Sequence, residues 1–185
     1  NLFSDLYRDL VNIGSGDLKP FIFNSTATAN ITDADGRIVH KALSEPQKKG
    51  IFSANQIPGH YDFAVATYSQ IRSSMDKPSA KRDFFLRTAQ DNILIMDESH
   101  NASGKSNSGA LFQAALPNTK GVVFLSATYA KRSENMPIYA MKTAMADANM
   151  SNEELVAAID RGGVALQEVI SANLVQSGQM IRRER

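Results

Sequence analysis

The chain contains no cysteine, which excludes disulfides and thiolate zinc sites and fits a reducing compartment. Its three histidines, His40, His60 and His100, follow no metal-ligand spacing. No apolar run approaches the length of a membrane span, and the first residues lack the basic-then-apolar order of a signal peptide. Net charge is nearly absent too. At +1 there is no global basic field, so any contact with nucleic acid must come from a local patch. Missing as well is a phosphate-binding loop of the form Gly-x-x-x-x-Gly-Lys-Ser/Thr. The Gly-Lys-Ser that is present, Gly104-Lys105-Ser106, carries Ser99 where the first glycine belongs.

What remains has globular proportions. In 185 residues, 43% are hydrophobic and 21% charged, enough for one ordinary domain with a real core and too apolar for wholesale disorder. The first residue is Asn and a helical pattern starts at once, so the chain is expected to be a piece of a longer protein. The expected compartment is the cytoplasm of a bacterial or phage-infected cell, or the nucleus of a eukaryotic one.

The most informative stretch is Asn92 to His100, Asn-Ile-Leu-Ile-Met-Asp-Glu-Ser-His. Four apolar residues without alternation predict a parallel strand buried on both faces. The strand runs into two carboxylates, and the carboxyl end of such a strand is where open α/β sheets bind ligands. Asp97 is placed to hold a hard cation such as Mg²⁺, which takes one or two carboxylates plus substrate phosphates. Glu98 is placed to polarise a water for in-line attack on phosphate. A structural alternative stands beside this: Asp-Glu also caps helix N-termini. A second stretch, Gly121 to Thr128, repeats the buried-strand pattern and ends in Ser-Ala-Thr.

Elsewhere, Leu2, Phe3, Leu6, Leu10 and Ile13 predict an amphipathic helix over 1–13, closed by Gly14 and Gly16. Phe21-Ile22-Phe23 predicts a strand. Residues 24–60 read as an irregular insertion with some structure of its own, including an Asp35-Gly36 turn, a short strand over 37–40 and a Lys-rich stretch through Lys48 and Lys49. Further strands and helices are predicted at 62–66, from Thr67 onward, at 80–89, at 110–116 and at 122–125. A helical tail follows: 136–148, 152–160, a Gly162-Gly163 break, and 164–175. Ser151 with Glu154 has the form of a capping box. Strands alternating with helices predict βαβ units, hence an α/β fold with a mostly parallel sheet flanked by helices. The domain reading is 1–135 for that fold and 136–185 for a helical extension.

Asp97-Glu98-Ser99-His100 followed by a strand ending in Ser126-Ala127-Thr128 is similar to motifs II and III of superfamily 2 helicases and translocases. The chain resembles the strawberry notch family of these ATPases, including forms found in phages and mobile elements. The likeness extends to Asn1 through Leu10, which look like that family's motif Ia, to Thr67-Tyr68-Ser69-Gln70, and to Gly162-Gly163, Glu168 and residues 178–182. It implies the first RecA-like domain of a P-loop NTPase acting with ATP and Mg²⁺ on nucleic acid, DNA in the first instance, opposite a second RecA-like domain. Residue by residue, it implies that Asp97 holds the metal, that Glu98 orients or deprotonates the attacking water, and that His100 couples them to motif III. Ser126 and Thr128 would link nucleotide state to nucleic acid, with Ser4, Arg8, Thr67 and Tyr68 on or near the nucleic-acid track. Two departures matter: the phosphate-binding loop and the trans-acting arginine of phosphoryl transfer are both missing from these residues. The isolated chain is therefore expected to be a poor ATPase. The competing reading is a non-catalytic RecA-like module that binds nucleic acid or a protein partner.

Overall fold

The computed structural model describes residues 2–72, 76–102, 107–126 and 132–181. They are α/β, with six short strands in three two-stranded sheets among the described residues. The chain divides into two compact units, Asn1–Arg72 with Pro78–Thr88, and Ser73–Lys77 with Ala89–Arg185.

In the first unit, α1 (Leu2–Asn12) forms where the spacing predicts it. Its buried Phe3 joins Ile22, Ala29 and Ile31 in a core flanked by Tyr7, Ala42 and Val65. Strand β1 (Pro20–Ile22) has β4 (Phe63–Val65) as its parallel partner, with Pro20 opposite Phe63 and Ile22 opposite Val65. The Phe23 N–H continues the ladder to the Val65 carbonyl at 3.0 Å.

Between these strands lies the predicted insertion, and it is more ordered than its sequence suggests. Strands β2 (Ile31–Thr32) and β3 (Ile38–His40) form an antiparallel hairpin. The Asp33 carboxylate ties its turn by accepting from the Asp35 and Arg37 N–H groups, both at 2.9 Å. The Lys-rich stretch is a helix, α2 (Glu45–Ala54). Its start is legible in retrospect: Ser44 and Gln47 form a capping box, with the Ser44 N–H donating to Gln47 Oε1 at 2.9 Å, and Pro46 sits in the first turn, where no N–H is missed.

Helix α2 brings Phe52 into an aromatic cluster with Phe21, Phe23 and Phe84, the closest ring pair being Phe52–Phe84 at 5.0 Å. Phe84 comes from α4 (Ala80–Ala89), and Tyr61 meets Phe21 edge-on at 5.3 Å. Edge-to-face pairs of this kind add stabilisation beyond their buried area. The short α3 (Tyr68–Ile71) follows β4.

The second unit is built on β5 (Ile93–Asp97) and β6 (Gly121–Leu125), parallel and in register from Ile93 opposite Gly121 to Asp97 opposite Leu125. A parallel pair needs a crossover. Here it includes α5 (Asn107–Ala115), which buries Leu111, Phe112 and Ala115. Then come α6 (Met136–Ala140), buried along its length, and α7 (Asn152–Gln176). The helix expected over 136–148 stops at Ala140, because the Thr143 side chain accepts the Met145 N–H at 3.4 Å and caps a separate 3₁₀ turn, Ala144–Ala148. The Ser151–Glu154 capping box forms as predicted, with bonds of 2.8 and 3.2 Å.

The break in α7 falls at Gly163, whose φ of 55° and ψ of −147° suit glycine alone. Its neighbour Gly162 lies so close to Leu166 that a Cβ would sit 2.5 Å from that side chain.

Two expectations need correction. The strands do not join into one mostly parallel sheet among the described residues; they stay in separate pairs. Nor are β5 and β6 buried on both faces. Met96 is buried and Phe124 packs on Tyr139 at 4.9 Å, but Ile93 and Ile95 are 66% and 65% exposed, and Val123 and Leu125 nearly half exposed. An unbroken apolar run buries both faces only where a second layer covers the sheet. Side chains alternate along a strand, so this pair buries the Met96 and Phe124 face alone.

Candidate functional site

The parallel register determines what meets at the carboxyl end of β5 and β6. With Asp97 level with Leu125, the residues just past each strand, Glu98 to His100 and Ser126, emerge side by side. His100 Nδ1 lies 2.9 Å from Ser126 Oγ and 3.3 Å from Glu98 Oε2. The acidic and Ser-containing motifs, 26 positions apart between these two residues, are therefore joined by a direct side-chain bond. Both contacts fall on the same ring nitrogen. A nucleophile–base–acid relay needs its serine and carboxylate on opposite imidazole nitrogens, so this cluster is not a hydrolase triad. The His100–Glu98 pair is ionic only when the imidazole is protonated.

The backbone around the acids is specialised. Glu98 has φ of +46°, a left-handed conformation that costs an L-residue about 1–2 kcal/mol. The Glu98 N–H donates to Asp97 Oδ1 at 2.9 Å, and a 3₁₀ turn, Ser99–Ala102, follows at once. Ser99 is fully buried and bonds the Tyr139 hydroxyl of α6 at 2.8 Å. That bond anchors the turn from below while Asp97 and Glu98 stay exposed. Strain at a pair of exposed carboxylates, held by a buried polar contact, is an arrangement associated with functional sites. The sequence shows Ser99 inside the acidic motif but gives no sign of its contact with Tyr139; the two are 40 positions apart, and no local pattern connects them.

The other predicted residues are distributed as follows. Thr128 and the Gly104-Lys105-Ser106 segment lie outside the described residues. Ser4 serves packing: its hydroxyl lies 3.0 Å from Thr32 Oγ1 and accepts the Thr32 N–H at 3.2 Å, tying α1 to the hairpin. Arg8 is exposed and pairs with Asp5 at 2.9 Å and Asp9 at 3.4 Å. Thr67 closes the carboxyl end of the β1–β4 pair, accepting from the Asn24 amide at 3.2 Å and donating its N–H to Asn24 Oδ1 at 3.3 Å, with Ser69 Oγ 3.0 Å from its hydroxyl. Tyr68 opens α3 and is half-buried. Thus Asp97, Glu98, His100 and Ser126 belong to one compact unit, and Ser4, Arg8, Thr67 and Tyr68 to the other.

Among the described residues, no three His, Cys, Asp or Glu side chains cluster closely enough to hold a metal by themselves. Asp97 fits the narrower requirement of a Mg²⁺ ion that takes a single protein carboxylate and draws its other ligands from phosphate and water. No described helix is long and apolar enough to cross a membrane. In comparisons with known proteins, no family model, no curated protein and no solved structure matches the chain.

Proposed function

We propose that the chain is the greater part of the first RecA-like domain of a strawberry notch-type, superfamily 2 helicase-like ATPase, whose parent protein spends ATP to move along or remodel nucleic acid, DNA in the first instance. The observation that carries this reading is the His100–Ser126 bond. It links the ends of two adjacent parallel strands, so a change at the acids is passed directly to the segment after β6. Two strand ends that served only to cap the turns after them would have no need of that bond.

In this reading Asp97 is the residue that would hold Mg²⁺, and the ion, when bound, neutralises charge on the transferring phosphoryl group. Glu98 orients the attacking water or takes its proton. His100 meets both Glu98 and Ser126 through Nδ1, so the position of the carboxylate is tied to that of Ser126 just past the end of β6. The second RecA-like domain would supply the arginine that these 185 residues lack.

Calorimetry with ATP and Mg²⁺ tests the reading on two proteins, this chain and one extended upstream through the next strand, loop and helix. Binding by the extended chain alone is expected. Glu98→Gln in the full-length parent protein should then abolish turnover and spare ATP binding. Near-normal turnover would remove Glu98 from the chemistry. If neither protein binds nucleotide, the ATPase reading fails and a non-catalytic module binding nucleic acid or protein replaces it.

A further inference from the structure

The carboxyl ends of β1 and β4 carry more positive charge than their surroundings neutralise. Lys48 of α2 is fully buried, its ammonium donating to the Phe23 carbonyl and, at 2.7 Å, to the Ser25 hydroxyl. Lys81 of α4 is half-buried and donates to Oε1 of Gln70, within α3, at 2.5 Å. Lys48 also feels Lys81 as a like charge. Facing both ammonium groups is Glu45 of α2, the one carboxylate that acts on them among the described residues. Glu45 accepts the Ser25 hydroxyl, stands 3.9 Å from Lys48 and is 69% exposed.

Burial is the largest influence on both lysines. It draws Lys48 down to about 8 and lowers Lys81 as well, while Glu45 opposes the change in each case. One fully buried and one half-buried ammonium group stand against one mostly solvated carboxylate, a formal excess of one positive charge that their neutral hydrogen-bond partners do not cancel and that burial makes costly. The cost falls when an anion arrives. The place is also the carboxyl end of a parallel strand pair, where α/β proteins take their ligands.

We propose that Lys81, backed by the buried charge of Lys48 and rimmed by Ser25 and Gln70, forms a site for one phosphodiester group of a single-stranded nucleic-acid backbone. The charge excess of one matches a phosphodiester, which carries one negative charge; a terminal phosphate carries nearly two at neutral pH. The inference rests on the nucleic-acid reading above and adds two residues to it that the motif resemblance did not include.

The test is calorimetric titration of the chain with a short oligothymidylate and, separately, with inorganic phosphate, at pH 8 in buffers of different ionisation enthalpy. An anion at this site raises the lysine pKa values, so oligonucleotide binding should take up a fraction of a proton. Lys81→Met, a change at a half-buried position, should weaken oligonucleotide binding roughly tenfold, lower the slope of log affinity against log salt by about one, and diminish the proton uptake. Lys81→Arg should restore most of the affinity.

Oligonucleotide binding that is unchanged by Lys81→Met, or that takes up no proton, overturns this site and leaves the nucleic-acid reading standing. Proton-linked binding of inorganic phosphate with no binding of oligonucleotide overturns the backbone assignment and counts against the nucleic-acid reading itself. Binding of neither overturns the site.

Discussion

Replacing Lys48 by Met isolates the energetics of a buried ammonium group. Near neutral pH two opposed effects meet. The substitution removes charge-assisted bonds to the Phe23 carbonyl and Ser25, each about 1.5–3 kcal/mol. It also removes a charge whose burial displaces its pKa from 10.5 to about 8, roughly 3 kcal/mol of differential interaction. The terms are of similar size, so stability at neutral pH should change little and would discriminate poorly.

Dependence on pH separates them. The folded chain releases the Lys48 proton near pH 8, whereas the unfolded chain keeps it up to the ordinary 10.5. Between those values the unfolded state binds more protons, and stability rises with pH. Wild type should therefore gain roughly 2 kcal/mol relative to Lys48→Met between about pH 7 and about pH 9.5, while below about pH 7 the two curves run parallel. Urea denaturation followed by circular dichroism over this range measures the difference. Unfolding free energies that stay parallel throughout would show that Lys48 is not a desolvated cation, and the charge argument for the phosphate site would fall with it.

Ser99→Ala and Tyr139→Phe should each destabilise the second unit by about 1–2 kcal/mol, and the double variant by little more than either alone, since one buried bond is lost in all three; additive losses in thermal denaturation would show that the bond contributes nothing. Glu98→Gly relieves a left-handed backbone at φ +46° and should leave stability unchanged or raise it by up to about 1 kcal/mol, the strain relief being set against the chain entropy of glycine; a clear loss would mean that the Glu98 side chain is needed for folding. Gly163→Ala meets no atom within 4 Å of the new Cβ, so its cost is conformational, roughly 1–3 kcal/mol for an L-residue at that φ and ψ; an unchanged melting temperature would argue against the break in α7.

Local pattern carried much of the fold. The first helix, the strands after Pro20, Tyr61, Asn92 and Lys120, the helix at 80–89 and the capped start of α7 all lie within a few residues of their predicted places, because helical spacing, apolar runs and caps act over short stretches of chain. Helix α2 is equally legible through the capping pair Ser44 and Gln47, although its Lys-rich face carries little apolar periodicity. The halt after Ala140 was harder to see, since it depends on which backbone group the Thr143 hydroxyl engages.

At the site, sequence by itself determined the chemistry on offer: two carboxylates at a strand end, an imidazole two positions on, and a serine after a second strand. Tertiary structure alone decided which of these meet. The parallel register places His100 on Ser126, packing places Tyr139 under Ser99, and α2 carries Lys48 to the end of β1. Contacts between residues 25 to 40 positions apart depend on how strands pair and helices stack, and no residue's local preference encodes them. Whether an apolar strand is buried on one face or two is decided in the same way, by the layers that pack against it.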